Sequence, residues 1–135
     1  MKQIEQNYKL GRIYSLKSKI TIDSLFKEGK KINAYPYTVF FKEACFEENV
    51  PFKFVLSAPK RSFRFAFQRN RIKRLMKEAV RLNKLPLESY LRKNNKQLAF
   101  FLLFSTKEEI KLSILETKTV KLFDKMIQQI DDQKN

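Results

Sequence analysis

The segment QLAFFLLFS, which occupies residues 97–105, is an almost continuous run of apolar residues whose length suits one β-strand. A strand that is apolar at every position must be covered on both of its faces. We therefore predict a β-sheet with helices packed against it. The whole chain is predicted to form a single domain, because 135 residues suffice for one hydrophobic core and not for two.

Further elements are predicted on the N-terminal and C-terminal sides of this strand. AYPYTVFFKEAC and VPFKFVLSAP are rich in aromatic and β-branched residues, so both are predicted strands, joined as a hairpin by the acidic FEEN loop. SKITIDSLFKEG predicts a short helix that stops at Gly29. The helix that contains residues 67–81 is expected to end near Asn83, and a helical turn is expected at Leu87–Leu91. The last helix opens with Ser113 and Glu116 in capping-box spacing.

The predicted order is helix, strand, strand, helix, strand, helix, with one further short strand near Lys31. This order predicts the α+β class, as a two-layer α/β sandwich in which helices pack on a small mixed sheet. Residues 1–15 are predicted to form an extended N-terminal arm. Apolar anchors along this first stretch of chain are Tyr8, Leu10, Tyr14 and Leu16.

The segment FQRNRIKRLMKEAVR predicts an amphipathic helix with one apolar face and one cationic face. At 100° per residue the apolar stripe includes Ile72, Leu75, Met76 and Ala79. The rest of the helix surface carries like charges one turn apart at Arg69, Lys73 and Lys77, and Arg74–Glu78 is its only i,i+4 pair of opposite charge. Solvated helix faces normally contain several such pairs. We therefore expect this face to bind a polyanion.

The charge of the chain is concentrated around this helix. The formal net charge is +15, and residues 53–84 contain eleven Lys or Arg against one Glu, whereas residues 106–135 are neutral. A charge of this size indicates a nucleic acid or an anionic membrane surface as partner. The candidate contact residues are Lys60, Arg61, Arg64, Arg69, Asn70, Arg71, Lys73, Arg74, Lys77 and Arg81.

Three phenylalanines alternate between the cations that precede the helix, at Phe63, Phe65 and Phe67. Core packing is the favoured role for them, and stacking on nucleic-acid bases is the alternative. The single Cys45 is expected to be a packing residue, since one cysteine cannot form an internal disulfide. No transmembrane stretch or apolar signal core is present in the sequence, so the expected location is the cytoplasm.

The composition argues against catalysis by the protein itself. The chain has no His and one Cys, which excludes His-based acid–base chemistry and an ordinary zinc site. A two-metal nuclease needs clustered carboxylates, and the basic segment offers only Glu78. The two glycines, Gly11 and Gly29, form no phosphate-binding loop. We therefore expect no catalytic residue, no metal ligand and no small-molecule substrate.

The pattern SAPKR…RNRIKRLMKEAVR resembles the protein subunit of bacterial ribonuclease P. The similarity rests on the Lys60–Arg61 pair at the end of a strand, the Arg69–Arg71 triplet at the start of a helix, and the flanking Ala66. The early helix is also similar, with Phe26 and Gly29 in place, although Ile22 stands where the family usually has an aromatic residue.

The resemblance implies a fold like the second domain of ribosomal protein S5, with a left-handed strand–helix–strand crossover. It implies a catalytic RNA as partner, which carries out the Mg²⁺-dependent removal of the 5′ leader from precursor tRNA, so that Mg²⁺ enters through the RNA and not through protein ligands. The Arg-Asn-Arg helix would bind the RNA. A groove between that helix and the sheet would hold the leader, with candidate residues Ile22, Phe26, Phe40 and Arg69.

Two alternatives remain open on the sequence. A ribosomal or ribosome-assembly protein that binds rRNA would share the charge and the fold class. A membrane-surface protein would use a basic amphipathic helix, but this requires the apolar stripe at Ile72, Leu75, Met76 and Ala79 to be free.

Overall fold

The computed structural model describes residues 10–132, which contain four helices, four strands and a short 3-10 turn at Arg12–Tyr14. The helices are α1 (Lys19–Glu28), α2 (Ala66–Asn83), α3 (Leu85–Lys93) and α4 (Leu112–Asp132). The strands are β1 (Lys30–Ala34), β2 (Tyr37–Ala44), β3 (Phe52–Ser57) and β4 (Gln97–Phe104). The predicted elements are present. The helical turn after α2 is the longer helix α3, which carries Pro86 in its first turn.

The four strands form one mixed sheet in the order β1-β2-β4-β3. β4 pairs antiparallel with β2 and parallel with β3, which confirms the predicted α+β class with a mixed sheet. The expected hairpin between β2 and β3 is wrong, because β4 lies between them. The apolar side chains of β4 point to both faces, and an inner position covers them better than an edge position does.

The chain passes from β3 to the parallel strand β4 through α2 and α3. This is a strand–helix–strand crossover, as the family resemblance implies. Its left-handed sense stays a prediction.

The two faces of the sheet are covered to different extents. On one face, side chains of β4 are fully buried in the main core against residues of α2 and α4; they are Leu98, Phe100, Leu102 and Phe104. On the other face, Ala99 is buried beneath Leu25 of α1, whereas Phe101 and Leu103 are only half-buried. The sheet therefore keeps a partly open apolar surface beside α1.

Helix α1 is capped at its N-terminal end, and its C-terminal end lies close to the backbone of β2. Ser18 caps the first turn by accepting a hydrogen bond from the Thr21 N–H at 3.3 Å. Gly29 ends the helix with φ −72°, which any residue can adopt. A Cβ at this position would lie 2.4 Å from the Leu25 carbonyl oxygen and 3.1 Å from that of Phe41. Glycine is required here because the backbones approach closely.

Helix α4 does not begin with the predicted capping box. The helix starts at Leu112, which places Ser113 inside its first turn, and the Lys111 carbonyl accepts the Leu115 N–H at 3.0 Å. The Glu116 carboxylate instead accepts a hydrogen bond from the Asn83 amide at 3.2 Å. The glutamate thus links α4 to the end of α2.

The described part of the N-terminal segment follows the outer edge of β3. Ser15 forms a parallel bridge with Phe54, and the Leu16 N–H donates to the Phe54 carbonyl at 3.1 Å. Leu10 and Leu16 are buried, as suits two of the four predicted anchors. Tyr8 and the rest of residues 1–9 lie outside the described residues.

A buried polar network joins this segment to the start of α3. The Lys84 ammonium, fully buried, lies 2.6 Å from Glu88 Oε2, and the Tyr14 hydroxyl donates to the same oxygen at 2.7 Å. The ammonium also lies 5.4 Å from the centre of the Tyr14 ring. Burial, together with the hydrogen bond to Glu88, raises the pKa of the Tyr14 hydroxyl. The network therefore depends on the Glu88 carboxylate as the shared acceptor.

Cys45 is exposed, so its predicted packing role is wrong. Strand β2 ends at Ala44, and Cys45 is the first residue of the loop that follows.

Candidate nucleic-acid interface

Helix α2 presents its cations outward because its apolar stripe is anchored in the core. Ile72, Met76, Ala79 and Val80 are buried in the main core, and Leu75 packs against it. The membrane-surface alternative requires this stripe to be free, and the structure buries it. The side chains on the opposite arc are exposed or half-buried: Asn70, Arg71, Lys73, Arg74, Lys77 and Arg81.

Two arginines of this arc are paired with carboxylates. Arg71 lies 2.7 Å from Glu109, and Arg81 lies 2.5 Å from Glu78. The hydrogen bond from Arg81 lowers the pKa of the Glu78 carboxyl. The sequence spacing had favoured Arg74 as the partner of Glu78, and this expectation is wrong, because the glutamate turns toward the C-terminal end of the helix.

The remaining cations of the arc carry no such pairing. Among residues 10–132, no carboxylate lies within 4.0 Å of the Lys73, Arg74 or Lys77 side chains. Like charges on one helix face repel each other unless an anion lies between them. We define Lys73, Arg74 and Lys77 as the unpaired cationic face of α2.

Arg69 has a structural contact that its sequence position did not predict. Its guanidinium donates to the carbonyl oxygens of Phe63 and Arg64 at 2.9 and 3.0 Å, and so ties the start of α2 to the loop before it. Lys60 and Arg61, in the turn after β3, are exposed, as is Arg64. These loop cations continue the charge of α2 beyond its N-terminal end.

Three aromatic rings cluster beside α1 on the partly open face of the sheet. The ring of Phe26 lies 4.9 Å from the ring of Phe40 and 4.9 Å from that of Phe101, edge to face in both cases. Phe26 remains 48% exposed. Ile22 packs into the same small core, and the Lys31 ammonium lies 5.6 Å from the centre of the Phe40 ring. We call Phe26, Phe40 and Phe101 the α1 aromatic cluster.

The predicted groove residues are thus divided between two places. Ile22, Phe26 and Phe40 lie together beside α1, whereas the family resemblance implied a groove between α2 and the sheet. Arg69 belongs to α2, whose buried stripe packs in the main core and not in the small core beneath α1.

Phe101 and Lys31 were not among the predicted site residues. The strand register explains both, because Phe40 is paired with Phe101 on one neighbouring strand and with Lys31 on the other. Directly opposite residues place their side chains on the same face of a sheet. A correct prediction of strand order would have found them.

The described residues contain neither a metal-binding cluster nor a helix suited to span a membrane. No group of three His, Cys, Asp or Glu within residues 10–132 is placed to share a metal ion. In the same range, no helix combines the length and the apolar content that a membrane crossing needs. The carboxylates near the cationic arc, Glu78 and Glu109, are each engaged by an arginine.

A basic α+β domain with an unpaired cationic helix face belongs to the class of proteins built to meet a polyanion. The family model of ribonuclease P matches residues 10–127. The chain therefore belongs to the ribonuclease P protein family.

Individual ribonuclease P protein components are similar to this chain in sequence. A ribonuclease P protein component of Porphyromonas gingivalis is 42% identical over 71 residues, which are 52% of this chain and 51% of the relative. One of Borreliella afzelii is 40% identical over 70 residues, which are 52% of this chain and 61% of the relative. The chain thus spans about half the length of the Porphyromonas gingivalis relative that it matches.

Solved structures show the same fold. The ribonuclease P protein of Thermotoga maritima superposes with a TM-score of 0.61 at 18% identity, covering 82% of this chain and 96% of that one. The protein of Staphylococcus aureus superposes with a TM-score of 0.55 at 16% identity, covering 87% and 94%.

Proposed function

We propose that this protein binds the catalytic RNA of ribonuclease P and helps it remove the 5′ leader of precursor tRNA. The observation that carries the proposal is the unpaired cationic face of α2, in a chain that belongs to the ribonuclease P family. Such a protein would act in the cytoplasm.

The catalytic RNA is the partner that suits the α2 face. Lys73, Arg74 and Lys77 project from a helix whose opposite side is immobilised in the core, so their Cα positions are set before binding. Cations held in this way neutralise phosphates of a folded RNA and release its counterions, whatever the base sequence. This contact would fix the orientation of the protein on the RNA.

The leader is the partner that suits the α1 aromatic cluster. A leader is single-stranded, and its bases can stack on aromatic rings without sequence preference. Phe26 offers a half-exposed ring, and Lys31 stands beside Phe40, where an ammonium can meet a phosphate. An aromatic surface with an adjacent cation is how proteins hold single strands.

The cleavage chemistry would belong to the RNA. The Mg²⁺ for this cleavage would be held by the RNA, as the family resemblance implies. The protein would contribute binding and orientation, which raise the rate by holding the substrate in a reactive position.

The first test is reconstitution. Protein freed of RNA should not cleave precursor tRNA in Mg²⁺. Addition of the ribonuclease P RNA of the same organism, transcribed in vitro, should give cleavage at the 5′ end of the mature tRNA. The rate should rise when the protein is added to this RNA at low salt. Specific cleavage by the protein alone, or no effect of the protein on the RNA-catalysed reaction, contradicts the proposal.

The second test separates the leader contact from the RNA contact. Phe26→Ala should weaken binding of precursor tRNA to the reconstituted complex by about 1–3 kcal/mol, because one stacking surface is lost. Phe40→Ala should act in the same direction. Binding of mature tRNA, which has no leader, should not change. The measurement is the ratio of the two dissociation constants.

Ile20→Ala is the matched control for this test, since Ile20 lies on the same helix and is 84% exposed without belonging to the cluster. It should leave the ratio unchanged. Phe26→Ala could instead weaken binding of both tRNAs equally, or lower Tm together with the affinity for every RNA. Either result would mean that the ring packs in the fold and does not bind the leader.

A further inference from the structure

Two phenylalanine rings at the start of α2 are exposed, although core packing was expected for them. Phe65 is 52% exposed and Phe67 is 62% exposed, whereas Phe63 is buried against Phe104. The two exposed rings stack almost in parallel, with centroids 5.6 Å apart and 17° between their planes. Contiguous apolar surface of this kind marks an interaction site more often than a lone exposed side chain does. We call these two rings the Phe65–Phe67 pair.

The backbone beneath this pair is held in place by several hydrogen bonds. Phe65 precedes the first turn of α2, and its N–H donates to Gln68 Oε1 at 3.3 Å. Its carbonyl accepts the Arg69 N–H at 3.2 Å. The Arg69 guanidinium binds the two preceding carbonyls, of Phe63 and Arg64. The backbone that carries the two rings is therefore fixed by hydrogen bonds.

Cations precede the pair along the chain, and one of them contacts it. The Arg64 guanidinium lies 5.6 Å from the centre of the Phe65 ring. Lys60 and Arg61 are exposed in the turn before it, and no carboxylate of the described residues pairs with any of the three. The first turn of α2 contains no acidic residue. An apolar protein partner would have to bury these charges, whereas a polyanion would neutralise them.

The pair also continues the cationic arc of α2. Residues three and four positions apart on a helix are neighbours on one face, so Phe67 lies beside Asn70 and Arg71. Both of these side chains are exposed. The α1 aromatic cluster, by contrast, lies over the small core beneath α1 and shares no packing cluster with α2.

We propose that the Phe65–Phe67 pair is a stacking site for an unpaired nucleotide of the catalytic RNA, with Arg64 and its neighbouring cations on the adjacent phosphates. This inference rests on the proposed function, because it assumes that α2 faces that RNA. Rings with open faces accept a base that has left its helix, and cations beside them hold the backbone on either side. Stacking on the pair would let the protein recognise an unpaired nucleotide. The cations alone would accept any phosphate backbone.

The test compares a Phe65→Leu/Phe67→Leu variant with Phe65→Tyr/Phe67→Tyr in binding to the ribonuclease P RNA of the same organism. Leucine keeps apolar surface but has no ring face, and tyrosine keeps the ring. The leucine variant should bind this RNA about fivefold to 150-fold more weakly for one stacked base. The salt dependence of its affinity should stay that of the parent, because no charge is removed. The tyrosine variant should bind like the parent.

Ile20→Ala, at an exposed apolar position of α1 outside both aromatic sites, is the control and should not change affinity for this RNA. Phe67→Leu alone changes only the more exposed ring and is the variant least able to disturb folding. Its RNA affinity is compared with that of the parent, and its Tm shows whether it is folded. Equal binding by the leucine and parent proteins overturns the inference, as does an equal loss in the tyrosine variant. Self-association that vanishes in the leucine variant without any change in RNA affinity overturns it too. If the parent itself does not bind the RNA, the proposed function fails first.

Discussion

Replacing Lys73 and Arg74 together with alanine should weaken binding of the catalytic RNA by about 3–6 kcal/mol, at roughly 1.5–3 kcal/mol for each charged hydrogen bond lost. This loss arises because both side chains lie on the unpaired cationic face of α2 and have no carboxylate of the described residues to compensate. The slope of log K against log salt should flatten by up to about two, at roughly one per phosphate contact.

The protein should remain folded in this double variant, because neither side chain belongs to the buried stripe of α2. Filter binding or fluorescence anisotropy at several salt concentrations gives affinity and slope together. A matched control is Lys121→Ala/Lys125→Ala, which removes the same charge from exposed positions of α4. An equal loss in this control would assign the effect to net charge and not to the α2 face.

Replacing Glu88 with alanine should destabilise the fold by about 3–5 kcal/mol, because it leaves the buried Lys84 ammonium without its carboxylate. The same substitution removes the acceptor of the Tyr14 hydroxyl, so the N-terminal segment loses its side-chain bond to α3. Chemical denaturation monitored by circular dichroism measures the free energy of unfolding directly.

Two further variants show whether the burial of the Lys84–Glu88 pair causes this loss of stability. Glu88→Gln keeps an oxygen acceptor for Lys84 and Tyr14 and should cost less than Glu88→Ala. Glu28→Ala breaks an exposed ion pair, with Lys42, and should leave the stability close to that of the parent. If Glu88→Ala is no more destabilising than Glu28→Ala, the buried network does not stabilise the fold.

The sequence alone determined the features that depend on local periodicity. The apolar run at residues 97–105 identified β4, and the angular distribution of residues 67–81 identified both the buried stripe and the cationic arc of α2. A helix or strand period is a property of neighbouring residues, so it can be seen without knowing what the element packs against. The family resemblance rests on the same segment and is confirmed by the match over residues 10–127.

The tertiary structure alone decided how these elements combine. The insertion of β4 between β2 and β3 removed the expected hairpin and brought Phe101 beside Phe40. Strand order depends on contacts between residues far apart in the chain, which no local pattern encodes.

The same limit applies to individual side chains. Three alternating phenylalanines look alike in sequence, yet Phe63 is buried and the Phe65–Phe67 pair is exposed, because only the first points toward the sheet where α2 begins. Glu78 could reach Arg74 or Arg81 by spacing, and the folded helix pairs it with Arg81. Local sequence thus determined which residues form each face, and packing between distant segments decided which of those residues stay exposed.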